Sequence, residues 1–383
     1  MAQTAQAEIE QRYARVRRAA EAADVDAVVV SGSEYTGFEG AVRYLSGFRI
    51  LHRYAYVVVP VDGDPAVVFP REARWVGDHG EAWMEQVFAE HPGGWIAEQA
   101  REQSWRRIGV AGLDYVMAVR DYRALEDGPA AVVPFDEQFD LGRAVKSEGE
   151  LESVRESMRI NEAGVEAVLR AYEPGKTEAE LMGEAERVFT TAGCYRTTMD
   201  MIIGGPDGAA YPEFRFPSAE TRIGEGDLLL YGLEIAGPGG HWVEFSRPIC
   251  AAPRGGVALD TLAAMDAYHE YYDAAKQTMK AGATAHDVHR AVSKGFLHRG
   301  FQLGHVTGHS IGMTMIEHPR VGEGNETVLE ENMVVSMHPH AFTQDERTCL
   351  YMQDTWLVTA DGGVPFSDVS LRIYDGSEGR LVP

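Results

Sequence analysis

"GEGDLLLYGLEIAGPGGHWVEFSRP", residues 224 to 248, holds two apolar runs separated by the turn "GPGG" at 237 to 240. Each run carries a carboxylate where a fully buried strand would be apolar, Glu234 in the first and Glu244 ten residues later. A hairpin across that turn predicts the two carboxylates on neighbouring strands. Downstream, "NMVVSMHPHAF" at 332 to 342 and "CLYMQDTWLVTADGG" at 349 to 363 repeat the pattern, with His338, His340, Gln353 and Asp354 inside β-rich runs. Alternate strand positions share a face, so His338 and His340 are expected to point the same way. "GHVTGHSIG" at 304 to 312 sets His305 and His309 four positions apart among three glycines.

Helical periodicity fills the spaces between. Leu151, Val154, Met158, Val165, Val168 and Leu169 mark one helix that stops at "EPGK", and two more are expected over 257 to 280 and 284 to 297. Helices beside polar-bearing strands predict an α+β unit whose curved antiparallel sheet carries a site on its concave face. The first third reads differently, as helices interleaved with the short apolar strands "DAVVV", "YAYVVVP", "PAVVFP" and "RRIGVAG". That alternation predicts an α/β layer structure. Residues 126 to 147 then break the pattern with glycine, proline and acidic residues, placing a domain boundary near 145.

At 383 residues the chain exceeds what one core usually supports, which also predicts two domains. Its net charge of −24 disfavours nucleic acid and anionic membrane partners. Cys194, Cys250 and Cys349 are scattered, with neither disulfide nor zinc spacing. The opening segment lacks a signal-peptide core, and no run reaches the roughly 18 apolar residues of a membrane span. A cytoplasmic, soluble protein is expected.

The order of these signals resembles the pita-bread fold shared by methionine aminopeptidase, prolidase and creatinase. The likeness runs through the 224–248 stretch, "GHVTGHSIGMTMIEHP", "ENMVVSMHPHAF" and "MQDTWLVTADGG". The first third resembles a creatinase-type N-terminal domain, through "VRYLSGF" at 42 to 48 and "HRYAYVVVP" at 52 to 60. The resemblance implies a creatinase-like α/β domain over 1 to 145 and a catalytic α+β pita-bread domain over 146 to 383. Peptidases of this family hold two divalent metals with two Asp, one His and two Glu. Carried onto this chain, those positions are Gly232, Glu244, His309, His338 and Gln353, so four of five have changed. Bridging carboxylates must offset about four positive charges in such a cluster, and Gly232, His338 and Gln353 cannot do so. The two-metal peptidase mechanism is expected to be absent.

Two readings of the centre remain. One is a single zinc or iron ion held by Glu244, His309 and His338, with Gln353 or Glu234 as a weak extra ligand. The other, which the resemblance to creatinase implies and which is preferred, is a metal-free centre in which His309, His338 and Glu244 do acid–base chemistry. Arg53 and Arg320 fall where creatinase grips its substrate's carboxylate, and the first would act across a homodimer. Creatinase's catalytic histidine falls on Arg215, its two site glutamates on His338 and Ser246, so creatine itself is not the expected substrate. His305, Tyr211, Arg215 and His340 are candidate pocket residues, and Glu317, beside the position where peptidases carry a proton-shuttling histidine, is a candidate catalytic group. The expected activity is hydrolysis of a C–N bond in a small carboxylate-bearing nitrogen compound. A lyase reaction in the same pocket and a non-catalytic peptide-binding role are the alternatives.

Overall fold

The computed structural model describes residues 6–34, 37–51, 53–76, 83–194, 199–203, 214–250, 259–304 and 306–383. The chain divides into two compact units, residues 1–144 with 313–318, and residues 145–312 with 319–383.

The first unit is built on a six-stranded mixed sheet. Its inner strand Ala27–Ser33 pairs antiparallel with Tyr54–Pro60 and parallel with Arg107–Ala111. Period-two alternation divides that strand between two cores. Val28 and Val30 pack with Ile9, Tyr13, Val16 and Ala20 of the helix Gln6–Ala22, whereas Ala27 and Val29 pack with Ile96, Ala97 and Ala100 of the helix Pro92–Glu102. Both faces are therefore covered, which is why the strand reads as a continuous apolar run.

The stretch 126 to 147 is more ordered than its composition predicts. It contributes the edge strand Ala131–Pro134, parallel to 107–111, and the helix Asp136–Ala144. Gly128, Pro129 and Pro134 bound these short elements while Gly142 lies within the helix, and the Asp136 carboxylate accepts the Gly112 N–H at 2.7 Å. Met313 joins the first unit's core, and a Cβ at Gly40 would lie 1.6 Å from the Met313 carbonyl oxygen. Only glycine admits that approach.

In the second unit, the helix Glu148–Ala171 opens with a capping box in which Ser147 and Glu150 satisfy each other's backbone N–H groups. Three further long helices follow among the described residues, Glu178–Ala192, Leu259–Thr278 and Ala285–His298, the last two close to the spans expected from periodicity. The strands form small, mostly antiparallel sheets. The hairpin predicted across 237–240 is present: Tyr231–Ala236 pairs with Trp242–Phe245, and Glu234 stands directly opposite Glu244. Gly240 turns the chain at φ +91°. The five-stranded sheet brings Gly308–Ser310, Val334–Met337 and Asp354–Val358 side by side. His309, Ser336 and Thr355 form one row across it. A Cβ on Gly308 would meet the Ser336 carbonyl oxygen at 2.3 Å, so the glycine next to His309 is what lets these strands close up. No helix among the described residues is long and apolar enough to cross a membrane.

Candidate active site

Glu244 is 1% exposed, and its backbone is fixed before its carboxylate does anything. Its N–H donates to the Thr355 hydroxyl oxygen at 2.9 Å, and that hydroxyl donates back to the Glu244 carbonyl at 3.1 Å. The carboxylate then has different neighbours at each oxygen. Oε2 accepts from the Ser336 hydroxyl at 2.6 Å and from the Gln353 amide nitrogen at 3.2 Å. Oε1 faces Nε2 of His309 at 3.2 Å. Nε2 of His338 is 3.9 Å from Oε2. Among the described residues, Glu244, His309 and His338 are the one group of three His, Cys, Asp or Glu side chains whose ligand atoms all lie within 4.8 Å of each other.

Burial by itself would raise the Glu244 carboxyl, but the imidazoles of His309 and His338, with the Ser336 hydrogen bond, outweigh it and hold the group down at about 2. Burial would conversely lower His309. The Glu244 carboxylate and the hydrogen bond from Nδ1 to the Ser310 carbonyl, at 3.0 Å, outweigh that and raise it, against a small opposing effect of the Arg320 charge.

A second carboxylate completes the centre. The Gln353 amide nitrogen donates to Glu234 Oε1 at 2.8 Å as well as to Glu244, so one neutral amide joins both acids. Gln353 is fully buried, held by Ser246 through its own N–H at 3.1 Å and through its carbonyl at 3.2 Å. Tyr351 borders the pair, and burial together with the charges of Glu234 and Glu244 keeps its phenol protonated.

The remaining candidates are distributed as follows. His338 follows the last residue of the strand Val334–Met337, Pro339 interrupts the ladder for want of an N–H, and His340 opens the strand His340–Phe342 in a different sheet. The expectation that both histidines share a strand face therefore gives way. His340 is packed among the rings of Phe214, Phe342 and Tyr351, at 5.3, 5.4 and 5.8 Å between centroids. Glu317 belongs to the first unit, where Arg143 lies 3.1 Å from it and also binds Asp140 at 2.7 Å. Arg215 is paired with Glu178 at 2.5 Å. Asp354 is engaged by the buried guanidinium of Arg247, with both contacts at 2.9 Å. Arg320 is exposed. Arg53 is exposed too, at φ +63°, ion-paired with Glu72 and donating its N–H to Glu34. His305 and Tyr211 lie outside the described residues. Ser336 and Thr355 escaped the sequence reading; the available signal was nearness in sequence, since Ser336 lies two positions before His338 and Thr355 directly follows Asp354.

An α/β domain followed by an α+β domain whose sheets gather carboxylates and histidines onto one centre defines the two-domain pita-bread class of hydrolases. Residues 152–360 match the model of metallopeptidase family M24, and residues 12–145 match the creatinase/prolidase N-terminal domain. The chain belongs to the M24 family. It is 26% identical to a probable dipeptidase PepE of Mycobacterium tuberculosis, over 92% of this chain and 93% of that protein. It is 24% identical to an Xaa-Pro dipeptidase of Lactobacillus delbrueckii, over 88% and 93%. The fold is that of the prolidase from Thermococcus sibiricus, with TM-score 0.81 and 18% identity over 96% of this chain and 98% of that one. It is equally that of dipeptidase PepE from Mycobacterium ulcerans, with TM-score 0.78 and 22% identity over the same shares.

Proposed function

We propose that this M24 hydrolase cleaves a C–N bond in a small carboxylate-bearing nitrogen compound at the Glu244–His309–His338 centre, without a two-metal cluster. The observation that carries the proposal is the state of Glu244 Oε2. Two hydrogen-bond donors, the Ser336 hydroxyl and the Gln353 amide, already point at it. An oxygen that accepts from two donors is not available to bridge two cations, and the amide that joins Glu244 to Glu234 brings no charge of its own. The residues present therefore do not fit the dinuclear centre that the family name implies.

Hydrolysis of a C–N bond needs water that loses a proton as it attacks and a nitrogen that gains one as it leaves. The centre offers one buried carboxylate between two imidazoles, in a setting that sustains a single positive charge. That charge is either a proton on His309, the acid–base reading, or one metal ion in the same place, a reading favoured by the closeness of the three donor side chains.

For the substrate carboxylate we assign Arg53 and Arg320. The Arg53–Glu72 pair is exposed, and pairs of that kind contribute only about 0–1 kcal/mol, so an incoming carboxylate can replace Glu72. Arg53 serving the other copy's site makes the working form a homodimer, and a cytosolic setting suits three cysteines that are free or unplaced in any disulfide. A panel of N-substituted amino acids and dipeptides, assayed for released amine with wild type and His309→Ala, tests the reading. Turnover by wild type should fall at least about 100-fold in the variant. Equal turnover by both removes the centre from the chemistry, and tight binding of such a compound without turnover points to a binding protein.

A further inference from the structure

Of the two histidines at the centre, His338 is held less regularly. His309 lies inside the strand Gly308–Ser310, whereas the strand Val334–Met337 stops directly before His338, and Pro339 follows without an N–H to give. The neighbouring chain catches this backbone instead. The His338 N–H donates to the Thr307 carbonyl at 3.0 Å, and the His340 carbonyl accepts from the Gly304 N–H at 3.0 Å. Three steps on one chain, from 304 to 307, are thus matched by two on the other, from 338 to 340. Such a mismatch is a bulge, and a bulge re-aims the side chains beside it.

Thr307 sits where the two histidine-bearing chains are out of step, and a side chain holds it there. Its hydroxyl oxygen lies 2.6 Å from Nδ1 of His289, on the helix Ala285–His298. Thr307 is buried, so the hydroxyl is shielded from competing solvent. Burial also holds His289 below the usual histidine range, so its ring is neutral, with one N–H and one lone pair. A threonine hydroxyl can donate or accept, and the bond forms with either tautomer. Ser293, one turn along the helix, reaches the same nitrogen at 3.4 Å and is the weaker partner.

We propose that His289 is a positioning residue for the reaction: through the Thr307 hydroxyl it locks the bulge, and the Thr307 carbonyl sets where the His338 imidazole stands relative to Glu244. The spacing of the centre shows why that placement matters. Nε2 of His338 is 3.9 Å from Glu244 Oε2, whereas Nε2 of His309 is 3.2 Å from Oε1. A ring beyond hydrogen-bond reach of the carboxylate is not fixed by it, so its aim rests on how its backbone is held. A misplacement of about 1 Å can cost a reaction about 100-fold. His289 acts through Thr307 and takes no chemical step itself. This inference rests on the proposed use of the centre and adds a residue to it.

The test compares the full wild-type chain with His289→Ala, His289→Asn, Thr307→Val and Thr307→Ser. Valine keeps the shape of threonine without its hydroxyl, and asparagine brings an amide near the position of Nδ1. With the panel of N-substituted amino acids and dipeptides, kcat should fall about 10–100-fold in His289→Ala and Thr307→Val while KM changes little. Thr307→Ser and His289→Asn should keep most of the rate. Unchanged kcat in His289→Ala or Thr307→Val overturns the inference, and so does an equal loss in the serine and asparagine variants, which would assign the effect to packing. If Thr307→Val does not fold, His289→Ala decides, because it alters a half-buried helix position. Should wild type turn over no member of the panel, the proposed reaction fails and imidazole NMR signals judge the inference alone. Those of His338 should shift in both His289→Ala and Thr307→Val while those of exposed His91, in the first unit, stay in place. His338 signals identical to wild type in these variants would overturn it.

Discussion

At Gln353 and Ser336 the molecule shows how neutral side chains can take over positions around a carboxylate. The Ser336 hydroxyl donates to Glu244 at 2.6 Å in a fully buried setting. Hydrogen bonds to charged groups contribute about 1.5–3 kcal/mol, so Ser336→Ala should destabilise the protein by that amount in urea titrations. It should also reduce turnover, because Glu244 loses the donor that fixes its rotamer; unchanged stability and turnover together would mean the bond does nothing. Gln353→Glu tests charge directly. It sets a third buried carboxylate against Glu234 and Glu244, and an uncompensated buried charge costs about 3–5 kcal/mol. Melting in chelator should drop by roughly 10 °C and recover with excess divalent ion. Equal melting temperatures in the two media would show that the cavity does not sense cations at Gln353.

Among elements, the segment 313–318 departs most from what the sequence indicates. It follows the His309 strand, yet its contacts place it in the first unit, where Glu317 meets Arg143 and the His318 N–H donates to Asp140 at 3.0 Å. Arg143 is 4% exposed, so Glu317→Gln breaks a buried pair and should cost about 3–5 kcal/mol of stability. The folded fraction should keep its kcat within about twofold; a 100-fold loss at unchanged stability would instead return Glu317 to the chemistry. Strands and long helices were legible because burial imprints a period on the chain, and the Glu234–Glu244 hairpin was legible because its turn is short. Less legible were features set by partners far away in sequence. Nothing local to "VVSM" says that Ser336 reaches a glutamate on another sheet. Pro339, by contrast, is a visible signal that the strand Val334–Met337 cannot run on through His340. The pocket residues His305 and Tyr211 remain expectations of the sequence alone.

For the whole molecule the decisive quantity is the net charge of −24, the excess of 59 acidic over 35 basic residues. The proposed substrate bears a carboxylate, so the field of the protein repels the molecule its site is proposed to bind. Arg53 and Arg320 are exposed cations assigned to that carboxylate. They act over short distances, whereas the repulsion acts over the whole surface, and salt separates the two. The screening length shrinks from about 30 Å at 0.01 M to about 8 Å at 0.15 M, which removes the long-range repulsion before it weakens a direct ion pair. The kcat/KM for a carboxylate substrate should therefore rise over that range of salt, while that for the corresponding neutral amide stays flat. Arg320→Ala should raise KM for the carboxylate compound and leave the upward salt trend in place, since the trend belongs to the surface and the grip to the arginine. A falling trend in wild type would mean that positive charge near the site outweighs the rest of the molecule during approach, and the clamp would then act at long range as well as in the bound complex.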